Sequence, residues 1–331
     1  MQFLNTLSGL PAILTALTAA IMWGSWFVSL KYLKKYPIEA FYVVMFSFCL
    51  VFVWGVSFLL AGGDILANIG EIWRQYPAKI LCTLLGGMLY AAGLWVSLKI
   101  MEKVGLALSQ PLLQSLTLIA GTCVSLYLGG RPETLTDLKI ILTVLFLLGA
   151  AVLVYLADQK RAQGTPAQDA ARQPSAPLKT VIGLTVAAAV LTVSYDAAMA
   201  YGLETITQPA GLKVLPFMCL LCTGAFLGVL ATCGAVLTKR KQWHVIKEAP
   251  FSIHKWSLLS GFCHYGGNII HSFATRGLSA AVSYPLGLTS GLWTQLWGLK
   301  YGEFRGAPVS AYVCLFASFA CYAAAALCIS L

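Results

Sequence analysis

His264, Asn268 and His271 lie within the stretch CHYGGNIIHS (263–272), inside a segment otherwise apolar enough to cross a membrane. Two imidazoles and an amide are costly there unless they face protein, water or a ligand. As chemistry they offer hydrogen-bond donors and acceptors without fixed charge, plus a ring that can take up and release a proton. With Ser257, Ser260 and Thr275 they recur at spacings of 3, 4, 4, 3 and 4 residues, which is one stripe of an α-helix. Hydrogen bonding between helices accounts for the Ser, Thr and Gly positions. Three large polar groups on one face point instead to a cavity.

Other segments carry the same signature. Gln110, Gln114, Thr117 and Gly121 form a stripe, as do Ser283, Gly287, Ser290 and Thr294, with Tyr284 and Trp293 beside the latter. Pro111 and Pro285 occupy matching places in these two segments and each frees a backbone carbonyl, which serves a ligand or a bend equally well. Asp196, in VSYDAAMAYG, is the clearest charge inside a span. Trp23, Trp26, Tyr90 and Tyr284 also lie within spans. Aromatic rings with Asn, Gln and His suit a flat, neutral, hydrogen-bonding solute: a sugar ring, an amide or a nucleobase. A strongly anionic substrate would call for buried Arg or Lys. The expected substrate contacts are Trp23, Trp26, Tyr90, Gln110, Gln114, His264, Asn268, His271 and Tyr284. The expected carriers of a coupling proton are Asp196 and His271. Glu39 and Glu204, at span ends, are expected at the interface, and Lys31 at the cytoplasmic face. The ten cysteines read as small buried hydrophobes. Cys219 and Cys222 have CxxC spacing but no second pair, so neither a metal nor any other cofactor is expected.

The elements that hold these residues follow from composition. Of 331 residues, 59% are hydrophobic and 10% charged, and mean hydropathy is +0.79. Soluble domains carry about 25% charged residues. The chain therefore reads as an all-α polytopic membrane protein of ten transmembrane helices, near 8–30, 38–61, 80–98, 105–128, 138–157, 180–202, 212–237, 257–275, 279–299 and 308–330. Apart from 62–79, 158–179 and 238–256 the connections are short. The N-terminus lacks the basic region and cleavage site of a secretory signal, so the first span reads as a retained helix. Connections after odd-numbered spans hold 16 of the 22 Lys and Arg residues. Basic connections stay in the cytoplasm. This places both termini outside and the linker 158–179 inside, in a cell (inner) membrane, and it gives the net charge of +10 a membrane reading rather than a nucleic-acid one.

The polar linker 158–179 separates a five-helix repeat, 1–157, from a second, 180–331. An odd number of spans inverts the second repeat in the membrane. The halves share a pattern. Tyr90 and Tyr265 each precede two small residues and stand seven residues before Ser97 and Ser272. Both segments then reach Gly-Leu and Ser-x-Pro-Leu (Ser109–Leu112, Ser283–Leu286). Ser25-Trp26 aligns with Ser194-Tyr195, and Tyr32 with Tyr201. Inverted repeats are an architecture of secondary transporters, with a site near the midplane.

These motifs resemble the drug/metabolite transporter superfamily. LGGRPETLTDLKIILTVLFLLGAAVLV (128–154) is similar to its helix-four-to-five junction, except that Gly130 stands where the usual pattern has Glu; YGEFR keeps that acid as Glu303. WGSW near the N-terminus and PLGLTSGLWTQLWGLKYGEFR (285–305) look most like the glucose/rhamnose-type sugar transporter and ureide permease branch. The resemblance implies uptake of small neutral solutes, often with protons. It points to Trp23, Gly24, Ser25 and Trp26, and to Pro285, Trp297, Gly298, Gly302 and Glu303, the last group as structural residues. The expected function is proton-coupled symport of a small neutral polar solute, a sugar first, by alternating access. A ureide or nucleobase permease, or a metabolite exporter of the same fold, is the alternative. Expected partners are the solute, protons and membrane lipids, with no nucleic acid; a homodimer is left open. An intramembrane enzyme is a rival class, but HxxxNxxH matches no catalytic spacing and no nucleophile stands beside it. A receptor or scaffold would not need so many spans.

Overall fold

The computed structural model describes residues 7–33, 35–104, 106–163 and 178–330, and it is all-helical, without a named strand among them. Ten main elements follow in order. Helix α1 is Gly9–Ser25, continued as a tighter 3₁₀ segment, Trp26–Tyr32. Next come α2 (Ile38–Ala61), α3 (Pro77–Val104), α4 (Leu106–Gly129) and α5 (Asp137–Gln163). After the linker come α6 (Leu178–Gly202), α7 (Val214–Lys239), α8 (Phe251–Leu278), α9 (Ala280–Leu288 and Ser290–Lys300) and α10 (Val309–Ser330). Two short helices, Asp64–Gln75 and His244–Glu248, occupy stretches that the sequence reading left as connections.

Seven helices among the described residues are long and apolar enough to cross a membrane: Gly9–Tyr32, Ile38–Ala61, Pro77–Ile100, Asp137–Ala162, Ile182–Gly202, Val214–Lys239 and Val309–Ser330. The chain is thus built as a multi-pass membrane protein. Helix α8 is long enough, but its polar stripe lowers its hydropathy. The expected continuous helix over 279–299 is broken at Thr289 into pieces of 9 and 11 residues. There the Thr289 hydroxyl donates to the Leu286 carbonyl at 2.6 Å, and the Thr289 N–H bonds the same carbonyl at 3.2 Å. That closes an i→i+3 turn one turn after Pro285. Helix α7 contains a π turn, Leu230–Gly234.

Helix α3 packs against α6 and α7, and α8 packs against α1 and α2. Helix α4 lies on α6, α5 and α3, while α9 lies on α1, α10 and α8; α5 pairs with α10, α2 with α7, and α4 with α9. Small residues permit the close approaches. Gly224 and Gly228 of α7 meet the backbone of Leu84 and Met88 on α3 so closely that no Cβ would fit. Gly261 of α8 sits close on Phe48, Cys49 and Met45 of α2, mostly against their side chains. Without water to drive helices together, such contact is what holds them.

Ion pairs stand at the two ends of the bundle. At one end Glu39, at the start of α2, is bonded by Lys99 of α3 at 2.9 Å and approached by Arg240, just beyond α7, at 3.8 Å. Glu39 stands at the end of the bundle but is 3% exposed; two cations from distant helices make its burial tolerable. At the same end Lys31 pairs with Glu303, Arg161 lies 3.7 Å from Glu303, and the Tyr32 and Tyr301 hydroxyls meet at 2.8 Å. At the opposite end Arg276 of α8 pairs with Glu204, beyond α6, at 2.7 Å. Lys79, at the start of α3, donates there to the Ala210 carbonyl.

Candidate functional site

Midway between the two ends, α1, α3, α6 and α8 bring aromatic and polar side chains together. Each arrives by helical register. On α8 the stripe puts His264, Asn268 and His271 on the face toward α1 and α9, 3%, 0% and 1% exposed. On α1, Trp23 reaches across Gly267, whose missing side chain leaves room for the indole. The Trp23 Nε1–H donates to Asn268 Oδ1 at 2.8 Å, and lies 3.3 Å from the His264 carbonyl. The Trp23 ring packs on His271 with centroids 4.6 Å apart and meets Tyr195 of α6 edge-on at 6.2 Å.

His264 is held from several sides. Its Nε2 is 3.3 Å from the Tyr90 hydroxyl, and its ring lies parallel to that of Tyr90. Trp26 meets it edge-on at 5.3 Å, and Phe46 of α2 is 6.2 Å away. His271 Nε2–H donates to the Ser283 carbonyl at 3.0 Å. Because a carbonyl only accepts, this nitrogen carries the proton. Thr275 and Ser283 then link α8 to α9 through hydroxyls 2.7 Å apart.

Asp196 is 5% exposed, next to Tyr195 on α6. Its carboxyl faces the Tyr284 hydroxyl, which also donates to the Thr117 carbonyl at 2.8 Å. The Tyr284 ring rests on Gly121. Thr117 and Gly121 of α4 and Asp196 of α6 therefore meet at Tyr284 of α9, with Tyr90 and Tyr195 next to Asp196 on the side of the α8 stripe.

Polar capacity is left over. Asn268 Nδ2, His264 Nδ1 and the Tyr195 hydroxyl are buried and have no hydrogen-bond partner. Trp23 and Tyr90 are only half-buried, although both are mid-helix and packed on buried neighbours. Buried donors beside aromatic faces can grip an uncharged polar ligand: rings cover its flat face and donors meet its oxygens or nitrogens. Two further pockets lie elsewhere, one lined by Ser115, Leu118, Leu147, Ala151, Leu288 and Tyr322, the other by Leu126, Arg131, Asp137, Ile140 and Ile141. Neither includes a member of the central cluster.

The chain matches no family model and no curated protein. A solved protein crystal structure superimposes on it with a TM-score of 0.61 over 97% of this chain and 98% of that one, at 15% identity. At that identity the likeness speaks to the fold alone.

Of the residues singled out by sequence, Trp23, Trp26, Tyr90, His264, Asn268 and His271 come together in one cluster, and Tyr284 and Asp196 form its flank. The side chains of Gln110 and Gln114 lie outside the described residues. Sequence reasoning did not place Tyr195 in the site, although it aligns with Trp26 between the halves. It also left out Tyr42 of α2, whose ring meets Trp26 edge-on at 6.4 Å.

Proposed function

We propose that this protein is a secondary active transporter that moves a small neutral polar solute, most simply a sugar, by alternating access with proton symport. The carrying observation is the central cluster: uncharged hydrogen-bonding groups with unsatisfied capacity beside aromatic rings, midway between two ion-paired ends. A ten-helix architecture of two inverted five-helix repeats, 1–157 and 180–331 around the cytoplasmic linker 158–179, fits the packing. Adding five to both members of a helix pair, and counting on from ten to one, turns α3–α6 into α8–α1, α3–α7 into α8–α2 and α4–α6 into α9–α1. The pairs α5–α10, α2–α7 and α4–α9 map onto themselves. Such symmetry lets one packing be exchanged for its mirror in the other half, which is what opening to alternate sides requires.

In this reading Trp23, Trp26, Tyr90, His264, Asn268 and Tyr284 bind the solute, and Gln110 and Gln114 extend the site on α4. Asp196 carries the coupling proton, with His271 as second carrier. The basic connections put both termini outside in a cell (inner) membrane, and the motif resemblance supports membership of the drug/metabolite transporter superfamily. Ureides and nucleobases, which present flat rings to the same aromatics, are the second substrate class.

The test is thermal stabilisation of the purified protein against sugars, ureides, nucleobases and amino acids, followed by counterflow of any hit in liposomes. A ligand that binds only the folded state raises the midpoint. The expected result is a sugar hit that Asn268→Ala abolishes and that exchanges across liposomes. A binder that shows no counterflow would sink the transport reading.

A further inference from the structure

The two ends of the bundle close with ion pairs that occupy corresponding places. Glu39 lies just after the first helix of its half and pairs with Lys99, near the end of the third. Glu204 lies just after the first helix of the second half and pairs with Arg276, near the end of α8. Both cations ride on helices that build the central cluster. Lys99 is nine residues, about 14 Å, beyond Tyr90, and Arg276 is eight residues, about 12 Å, beyond Asn268. Lys79 and Lys99 stand about 30 Å apart along α3, so the pairs lie at opposite mouths with the cluster between them.

The ends are not equal. At the Glu39 end Arg240 joins the pair at 3.8 Å, and a second set ties α1 to α9 and α5: Lys31 with Glu303, and Arg161 3.7 Å from Glu303. Stacking of Tyr32 on Trp256, centroids 4.1 Å apart, adds a tie from α1 to α8. At the other end, Glu204, beyond α6, pairs with Arg276 of α8, and Arg131, just beyond α4, pairs with Asp137 at the start of α5, which joins only neighbours in the chain. Near the end of α4, where Glu303 would have its counterpart, stands Gly130; the tie from there to the segment after α6 is neutral, the Thr207 hydroxyl donating to the Gly129 carbonyl at 2.5 Å, and the neighbouring Arg131 pairs locally with Asp137 of α5.

We infer that the Glu39–Lys99 and Glu204–Arg276 pairs are alternating latches, one for each mouth, and that Glu303 biases the resting protein toward closure at its own end. This inference rests on the alternating-access reading. Opening either mouth breaks its pair while the other holds. A conformational equilibrium shifts only by the difference in interaction between its two states. An ion pair made in one state and broken in the other supplies such a difference. Here both pairs are made, so both mouths are latched; the opening that is then favoured is the one on the side away from Glu303.

The test places a reporter in the cluster. Tyr90→Cys is labelled with a membrane-impermeant maleimide from each face, in right-side-out and inside-out vesicles, over the background of the otherwise identical chain. The expected labelling comes from the face remote from Glu303. Adding Glu303→Gln should move the ratio of labelling toward the Glu303 face by about fivefold or more, and Glu204→Gln should move it the opposite way. The charge exchange Glu204→Arg with Arg276→Glu should restore the starting ratio, which mere structural damage would not do. One-sided labelling that neither Gln variant alters, in protein that stays monodisperse, overturns the latches and leaves alternating access standing. A charge exchange that does not restore the ratio also overturns them. Labelling from neither face in any variant overturns alternating access and the latches with it.

Discussion

Helix α3 packs against α6 and α7, and helix α8 packs against α1 and α2, in corresponding ways. Each carries a tyrosine followed by two small residues and, seven positions on, a serine: Tyr90 and Ser97, Tyr265 and Ser272. Each carries near its end a cation paired to an acid: Lys99 to Glu39 in the first turn of α2, and Arg276 to Glu204 in the connection after α6. The correspondence extends to single contacts. Aligned on the tyrosines, Gly93 answers to Asn268; aligned on Tyr32 and Tyr201, Thr192 answers to Trp23. Gly93 packs directly on Thr192, just as Asn268 meets Trp23. Yet Leu89, Gly93 and Val96 stand where α8 has His264, Asn268 and His271. The scaffold is duplicated and the chemistry is not. Packing needs small residues at crossing points in both helices, whereas one set of hydrogen-bonding groups suffices for a ligand held between the halves.

The comparison can be broken first at the shared scaffold. Gly224→Val on α7 and Gly261→Val on α8 should each cost about 3 kcal/mol or prevent folding, because backbone or close-packed side chains fill the space. Similar losses in both, read by thermal unfolding in detergent, are expected if the two crossings are equivalent; a large loss in one alone would end the equivalence. Next comes the unshared chemistry. Asn268→Ala leaves the Trp23 N–H and the ligand without a partner, so binding of a hit from the ligand screen should weaken about 10- to 100-fold. Trp23→Phe keeps an aromatic ring beside His271 but removes the donor and part of the ring, for an expected loss of about tenfold in the same titration. The smallest effect belongs to the silent counterpart: Leu89→Ala on α3 should change ligand affinity by less than about twofold, as surface substitutions away from special features do. A tenfold change there would mean that α3 contributes chemistry after all.

Much of this was legible in the residue order. A stripe spaced 3, 4, 4, 3 and 4 can only be one face of a helix, and the face that holds His264, Asn268 and His271 proved to be the buried one. What escaped is what depends on distant partners. Glu39 at a helix start reads as an interfacial acid, because nothing nearby in sequence announces Lys99 and Arg240. Tyr195 joins the cluster through Tyr90 and Trp23, and its signals in sequence were its place within a span beside Asp196 and its alignment with Trp26. The break in α9 hinges on one Thr289 hydroxyl returning to Leu286, and a hydroxyl that bonds backward looks in sequence like any other. The short helix Asp64–Gln75 was missed because it is too short and too polar to count as a span.

The π turn at Leu230–Gly234 has a consequence for helical phase. A π turn amounts to one residue inserted into an α-helix, and each residue is worth about 100° of rotation. The stretch of α7 beyond it, and Arg240 after that, is therefore turned about a quarter revolution from where an uninterrupted helix would aim it. With one residue removed from that turn, Arg240 would rotate away from Glu39 and leave Lys99 as its cation, so that a frame shift in angle alone would thin the charge at one mouth of the bundle.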